Sequence, residues 1–292
     1  MGSAEHKIWA CACGCGVFEV GTSAMLPSHE GGMTFLEYDF LDQHKNWSGT
    51  SSASPDDNAD KRIKTHFITA GAQYLFNRKW GIMAEVPYWN RTFKTTDDQG
   101  DVVEFHHSAF GDVRIKGIYS GVSPDMSTGI TFGLKLPTGD YKYRHFDRDT
   151  SIGTGSTDVL LGAYHVDQLT KDNNWIWFAN GEIEQSVLIT PGYRPGSDIN
   201  VAVGSYFNGW RVGKIKIAPL AQVIGSNRWS DTGENSNHAD SGYKRIILAP
   251  GVEFDVTNWR VYADVGFPVY QNVNGNQLVA QELYKLNISR GF

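Results

Sequence analysis

Cys11, Cys13 and Cys15 fall within five residues, in the string Cys-Ala-Cys-Gly-Cys-Gly. In an extended chain, residues i, i+2 and i+4 project to one side, so the three thiolates share a face. Three thiolates make a soft-metal donor set, suited to Cu(I), Hg(II), or Zn(II) with a fourth ligand. His6 stands near enough in sequence to be that fourth ligand. The alternative is one disulfide and a spare thiol in an oxidising cell envelope, or one thiol tethered to another group. Either way the cysteines do not staple the fold, because three clustered residues cannot brace a chain of 292.

Nucleophilic catalysis needs a Ser, a His base and a group that orients the base. His106-His107-Ser108 is the one His/Ser adjacency of interest. It runs on into Ala109-Phe110-Gly111, where the phospholipase barrels carry Asn-Gly. No P-loop, Gly-rich dinucleotide motif or His-Glu-x-x-His occurs, and Gly153-Thr154-Gly155 opens a strand pattern rather than a helix. A non-enzyme is expected.

The remaining chemistry lies in charged residues spaced by two. Asp112, Arg114 and Lys116 alternate with Val113, Ile115, Gly117 and Tyr119. Glu182 and Glu184 alternate with Ile183, in a segment whose other apolar positions are Trp175, Trp177, Ala179 and Val187. Arg260 and Asp264 alternate with Trp259, Val261, Ala263 and Val265. Lys135 and Lys214 join this set. The inward residues sum to nine acids, including Glu37, Asp39, Glu85, Glu253 and Asp255, and eight bases, including Lys216, Arg245 and Lys285. One reading pairs them across strands. The sharper reading sets a basic ladder of Arg114, Lys116 and Lys135 opposite an acidic ladder of Glu182 and Glu184, which would orient a solute and set ion preference.

Strands must position these residues. Period-two alternation recurs from about residue 33 onward, and helical spacing is nearly absent. Twelve segments of strand length lie near 33–43, 61–76, 80–93, 108–120, 127–141, 155–167, 175–188, 197–207, 210–224, 243–256, 258–271 and 277–292. Most are longer than the usual soluble strand of about 5–6 residues, and long enough to cross a bilayer at a tilt, which takes roughly 9–11. Their connections alternate between short, as at Asn208-Gly209, and long, as at 44–60, 94–107, 142–154, 189–196, 225–242 and 272–276. That sorting is the pattern of a transmembrane β-barrel, with tight turns at one end and long loops at the other. Aromatics such as Tyr74, Phe76, Tyr119, Trp175, Trp210 and Trp259 fall at strand ends, where girdles mark the bilayer interfaces.

Composition agrees. Aromatics are 13% of the chain and the formal net charge is −6, which argues against nucleic acid as a partner. No apolar run of 18 residues exists, so a helical span is excluded. The first twenty residues lack the form of a secretion signal, which fits either a cytosolic protein or a mature form without its signal, and the opening Met1-Gly2-Ser3 favours the second.

The expected fold is all-β: a closed antiparallel transmembrane β-barrel of about twelve strands over 33–292, preceded by an N-terminal segment, 1–32, that is periplasmic or plugs the lumen. An even barrel puts both termini on the periplasmic side. Three strings carry a family resemblance: Phe110-Gly111-Asp112-Val113-Arg114-Ile115-Lys116-Gly117, Gly133-Leu134-Lys135-Leu136-Pro137-Thr138-Gly139, and Gly153 to Tyr164. Together they resemble the Gram-negative outer-membrane proteins labelled as MetA-pathway phenol-degradation, or transporter-like, barrels. The terminal Phe292, with Ile288, Leu286 and Tyr284 at steps of two, resembles the insertion signature of such barrels, though Arg290 departs from it. The resemblance implies a passive outer-membrane channel for small, often hydrophobic, molecules. Its partners would be outer-membrane lipid and the solute, and no cofactor would be consumed. The cysteine segment is outside that pattern. It leaves open a soft-metal or redox-associated envelope role, or docking of a periplasmic partner through residues 1–32.

Overall fold

A computed structural model describes Leu26, Pro27 and residues 30–292, apart from 55–60, 98, 147, 173 and 209. Fourteen strands follow in chain order: β1 (Gly31–Gly49), β2 (Ser51–Ser52), β3 (Arg62–Leu75), β4 (Trp80–Thr96), β5 (Val102–Phe110), β6 (Val113–Tyr119), β7 (Thr128–Leu136), β8 (Thr157–Gln168), β9 (Trp175–Leu188), β10 (Asp198–Phe207), β11 (Trp210–Val212), β12 (Ile215–Arg228), β13 (Tyr243–Val256) and β14 (Trp259–Gly291). Among the described residues the only helical element is a 3₁₀ turn, Arg148–Thr150.

Eleven strands form a closed antiparallel ring in sequence order, from β1 through β3, β4, β6 to β10, and β12 to β14, which returns to β1. Closure leaves the wall without an unpaired edge. The short strands β2, β5 and β11 pair with β1, β4 and β12 outside that ring. The expected twelve strands counted 258–271 and 277–292 separately, and here they are one 33-residue element. An odd ring of single-pass strands cannot be antiparallel throughout, so one element must reverse. β14 does: it pairs with β13 along Trp259 to Val273 and with β1 along Val273 to Gly291. The reversal falls at Gly275, whose φ of +57° suits glycine. The expected long connection at 272–276 is therefore a tight turn.

Connections sort by end. The links β3–β4, β6–β7, β8–β9, β10–β12 and β13–β14 lie at the end where β1 begins and β14 finishes. The links β1–β3, β7–β8, β9–β10 and β12–β13 lie at the other. Trp80 and Tyr119 pack at 4.7 Å, Trp175 and Phe207 at 5.2 Å, and Phe207 and Trp210 at 5.6 Å, which gives the short-turn end an aromatic ring.

The wall has two faces. Along β3, Ile68, Ala70, Ala72 and Tyr74 point out, while Ile63, Thr65, Phe67 and Gln73 are buried inside. The outer face carries Leu36, Ile82, Val86, Ile115, Leu134, Leu161 and Val203, all exposed. Such a continuous apolar belt is far beyond what a soluble monomer shows to water. The interior is not wholly polar. Phe35, Met83, Ile118 and Tyr164 form one buried cluster, and Leu41, Phe67, Ile247, Ala280 and Leu283 another. Charged residues lie between them.

One wall position is broken. The segment expected at 108–120 is two strands, β5 and β6, separated by Gly111-Asp112. On β4, Glu85 pairs with Arg114 and Tyr88 with Phe110, so two residues oppose three, which is a β-bulge. Pro87 is the cause: its carbonyl accepts from Gly111 N at 2.8 Å, but proline has no N–H to return.

Candidate functional site: a charged belt inside the barrel

Alternation places Glu85 on β4, Arg114 and Lys116 on β6, Lys135 on β7, Asp158 on β8, and Glu182 and Glu184 on β9, all facing inward. Arg114 Nη2 donates to Glu184 Oε2 at 2.9 Å. Lys116 Nζ lies 2.8 Å from Glu182 and 3.4 Å from Glu85. Lys135 bridges Asp158 at 2.6 Å and also Glu184. Every base here touches an acid. Removing charges from water is costly, and only direct pairing with good geometry offsets the cost. The two ladders expected to face each other across an open lumen therefore meet, and form a paired belt over β4 to β9.

Two smaller groups complete the interior. Lys285 pairs with Glu37 at 2.9 Å and Asp39 at 3.6 Å, with Asn287 donating to Glu37. Arg260 pairs with Asp255 at 2.8 Å and Glu253 at 3.4 Å, and Lys216 also reaches Asp255, near the short-turn end. Arg260 is thus not part of the belt. Lys214, expected in the lumen, is corrected: it follows Gly213 in the exposed turn between β11 and β12. Gly213 has a φ of +62°, so the chain reverses there and Lys214 never enters the wall.

Asp112 has a different role. The bulge turns its carboxylate inward, where Oδ1 accepts from Gly139 N at 2.9 Å and Oδ2 from Thr154 N at 2.8 Å and Thr154 Oγ1 at 2.6 Å. These bonds hold the β7–β8 loop in the interior. A Cβ on Gly139 would come within 2.8 Å of the backbones of Gly111 and Gly153, so only glycines permit this approach. The three strings that carried the resemblance converge on this junction. The neighbouring loops are tied in likewise: buried Asp231 accepts from Tyr193 Oη at 2.8 Å and Gly196 N at 2.7 Å, and Arg148 stacks between Tyr141 and Tyr193.

Belt and loop together line a cavity of about 150 Å³. Its lining mixes apolar residues, among them Phe67, Met83, Pro87, Trp89 and Ile152, with charged ones, among them Glu37, Asp39, Glu85, Arg114, Lys116, Lys135, Glu184, Asp198 and Arg228. Sequence reasoning missed Asp158, Asp198 and Arg228. Asp158 shares its parity with Leu160, Gly162 and Tyr164, so no polar alternation revealed its inward face.

His107 and Ser108 are adjacent on β5 and so project to opposite faces. His107 Nε2 meets Asp140 at 2.9 Å, whereas Ser108 Oγ accepts from Asn90. The structure does not bring them together as base and nucleophile. Cys11, Cys13, Cys15 and His6 lie outside the described residues. Among the described residues no group of three or more His, Cys, Asp or Glu is arranged to hold a metal ion.

These observations define a class: a closed antiparallel β-barrel with an apolar outer wall, a paired charged belt inside and loops folded into one end. No family model and no curated protein matches the sequence. Among solved structures, an outer-membrane channel from Pseudomonas putida F1 is similar at a TM-score of 0.69 and 12% identity, covering 94% of this chain and 100% of that one. The β-domain of the Bordetella autotransporter BrkA is similar at a TM-score of 0.54 and 10% identity, covering 90% and 100%. At such identities the likeness is one of fold.

Proposed function

We propose that this chain is an outer-membrane channel or facilitator that passes small molecules across the outer membrane of a Gram-negative bacterium, with the start of β1 and the finish of β14 both on the periplasmic side. The observation that carries the reading is the inversion of the wall: apolar residues outside, paired charges and a cavity inside. A strand rising about 3.3 Å per residue at about 40° tilt covers the roughly 25 Å apolar band of such barrels in about 10 residues. β3, β4, β9, β12 and β13, of 14 to 17 residues, exceed that length. Counting the two legs of β14 separately gives twelve crossings of the membrane. The shared fold of the Pseudomonas putida channel supports the same reading.

The passage is narrow, because side chains and the β7–β8 loop fill much of the lumen. A solute would slide its apolar part along Phe67 and Trp89 while its polar groups exchange partners with the belt. No cofactor enters this scheme. The test is conductance of the purified barrel in planar bilayers, with Lys116→Glu and Glu182→Lys compared. Discrete channel events with a shifted reversal potential in the variants are expected. Absence of conductance together with absence of solute uptake by loaded vesicles would overturn the channel.

A further inference from the structure

On the outside of the wall, one sector of the barrel changes character in register. Tyr38, Ile68, Tyr88 and Phe110 lie side by side across β1, β3, β4 and β5. The next outward row toward the long loops is Phe40, His66, Asn90 and Ser108. The row beyond is Asp42, Lys64, Thr92 and His106, and the last is Arg62, Lys94 and Glu104. Thus within six residues the outer face passes from aromatic to polar to charged, with three cations against two acids. That gradient is what a wall meets where acyl chains end and headgroups begin.

Two of the three cations make no direct ion pair with a described residue. Arg62 and Lys94 are directly opposed across β3 and β4, a like-charge placement that destabilises a sheet unless an anion lies between them. Arg62 is held by Asp42, its Nε donating to Oδ1 at 2.7 Å. Glu104 meets His106 at 2.9 Å. Lys64 stands directly opposite Asp42 and Lys94 directly opposite Glu104, yet among the described residues neither lysine is within ion-pair distance of an acid. By contrast, the outward residues at the same end of β8, β9 and β12 are Val159, Val187 and Asn227, all uncharged, and β13 carries the single cation Lys244 there.

We propose that this patch binds the phosphate of a membrane lipid headgroup, with Lys64 and Lys94 as the anion's ligands and Arg62, fixed by Asp42, as the third cation. The aromatic row beneath, where Tyr88 and Phe110 pack at 5.3 Å, takes the first segment of the acyl chains. A phosphomonoester suits the site best, because it brings the most charge to two opposed cations. The inference rests on the reading of the barrel as membrane-spanning, and the two fail differently. A chain that folds without amphiphile ends both, whereas a barrel that folds in detergent but does not prefer anionic lipid ends only this one.

The experiment is native mass spectrometry of the detergent-folded barrel, titrated separately with phosphatidic acid and phosphatidylcholine, with inorganic phosphate as competitor. Phosphatidic acid should bind at least about tenfold more tightly than phosphatidylcholine, and the Lys64→Gln/Lys94→Gln double variant should lose about tenfold or more of that affinity. Heat-modifiable gel mobility shows whether the variant is folded, and Lys214→Gln, at the opposite end, should bind like the parent. Equal binding of both lipids, or undiminished binding by the folded double variant, would overturn the proposal. So would full displacement by inorganic phosphate, which would make the patch a site for free anions.

Discussion

Thr154 gives both its backbone N–H and its hydroxyl to a single oxygen of Asp112, at 2.8 and 2.6 Å. Forty-two residues separate the pair in sequence, and the bond fixes the β7–β8 loop against the β-bulge opposite Pro87. Asp112→Ala removes the acceptor for three donors, counting Gly139 N. Unfolding in detergent should show a loss of about 2–4 kcal/mol, and Asp112→Asn, which keeps one carbonyl oxygen, should lose less. Because the loop is then released from the lumen, conductance of Asp112→Ala should rise above that of the parent.

Lys116 sits between Glu85 and Glu182. Lys116→Met leaves two buried carboxylates without their cation, and should cost about 3–5 kcal/mol in urea unfolding from lipid vesicles. Adding Glu85→Gln and Glu182→Gln should restore most of the loss, because the stranded charges are then gone. A triple variant no more stable than the single one would show that the belt is held by something other than charge pairing.

Ile115 points outward at mid-wall, 41% exposed. If lipid covers it, Ile115→Arg should destabilise the barrel by about 2–4 kcal/mol in a bilayer. Val122, more exposed at 54%, lies in the turn between β6 and β7. Val122→Arg should therefore change stability by less than about 0.5 kcal/mol.

The same turn offers a pH readout. The Ser127 hydroxyl and backbone N–H, with the Ser123 hydroxyl, bond Asp125 and hold its carboxyl down at about 2. A depressed carboxyl contributes its support above the ordinary carboxylate range and loses it as pH falls through about 2. The Ser127 amide signal should stay constant from pH 7 to 4 and titrate with a midpoint near 2. Asp125→Asn should abolish that titration.

Much of this architecture is legible in the sequence because a β-wall repeats every two residues. Asp112-Arg114-Lys116 against Val113-Ile115-Tyr119 reveals both faces of β6, and the alternation of loop lengths reveals the two ends. What period two cannot reveal is where it breaks. The bulge at Gly111-Asp112 arises from Pro87, a residue on another strand, so β5 and β6 read as one segment. Asp158 faces inward among Leu160 and Tyr164, where the interior is itself apolar and the parity signal vanishes. Lys214 keeps its parity in the sequence but stands on a turn. Which acid meets which base depends on distances across the lumen, and a local pattern contains none of them. The cysteine segment shows the reverse case: its chemistry is plain in the sequence, but it lies outside the described residues.

The most direct test of the inverted wall is the solvent the chain needs in order to fold. Purified protein should give a strand-rich circular-dichroism spectrum and heat-modifiable gel mobility in detergent or lipid vesicles, and should aggregate when amphiphile is removed. A monodisperse, folded monomer in plain buffer would mean that water, not lipid, covers Leu36, Ile115 and Leu161, and would contradict a membrane-spanning barrel.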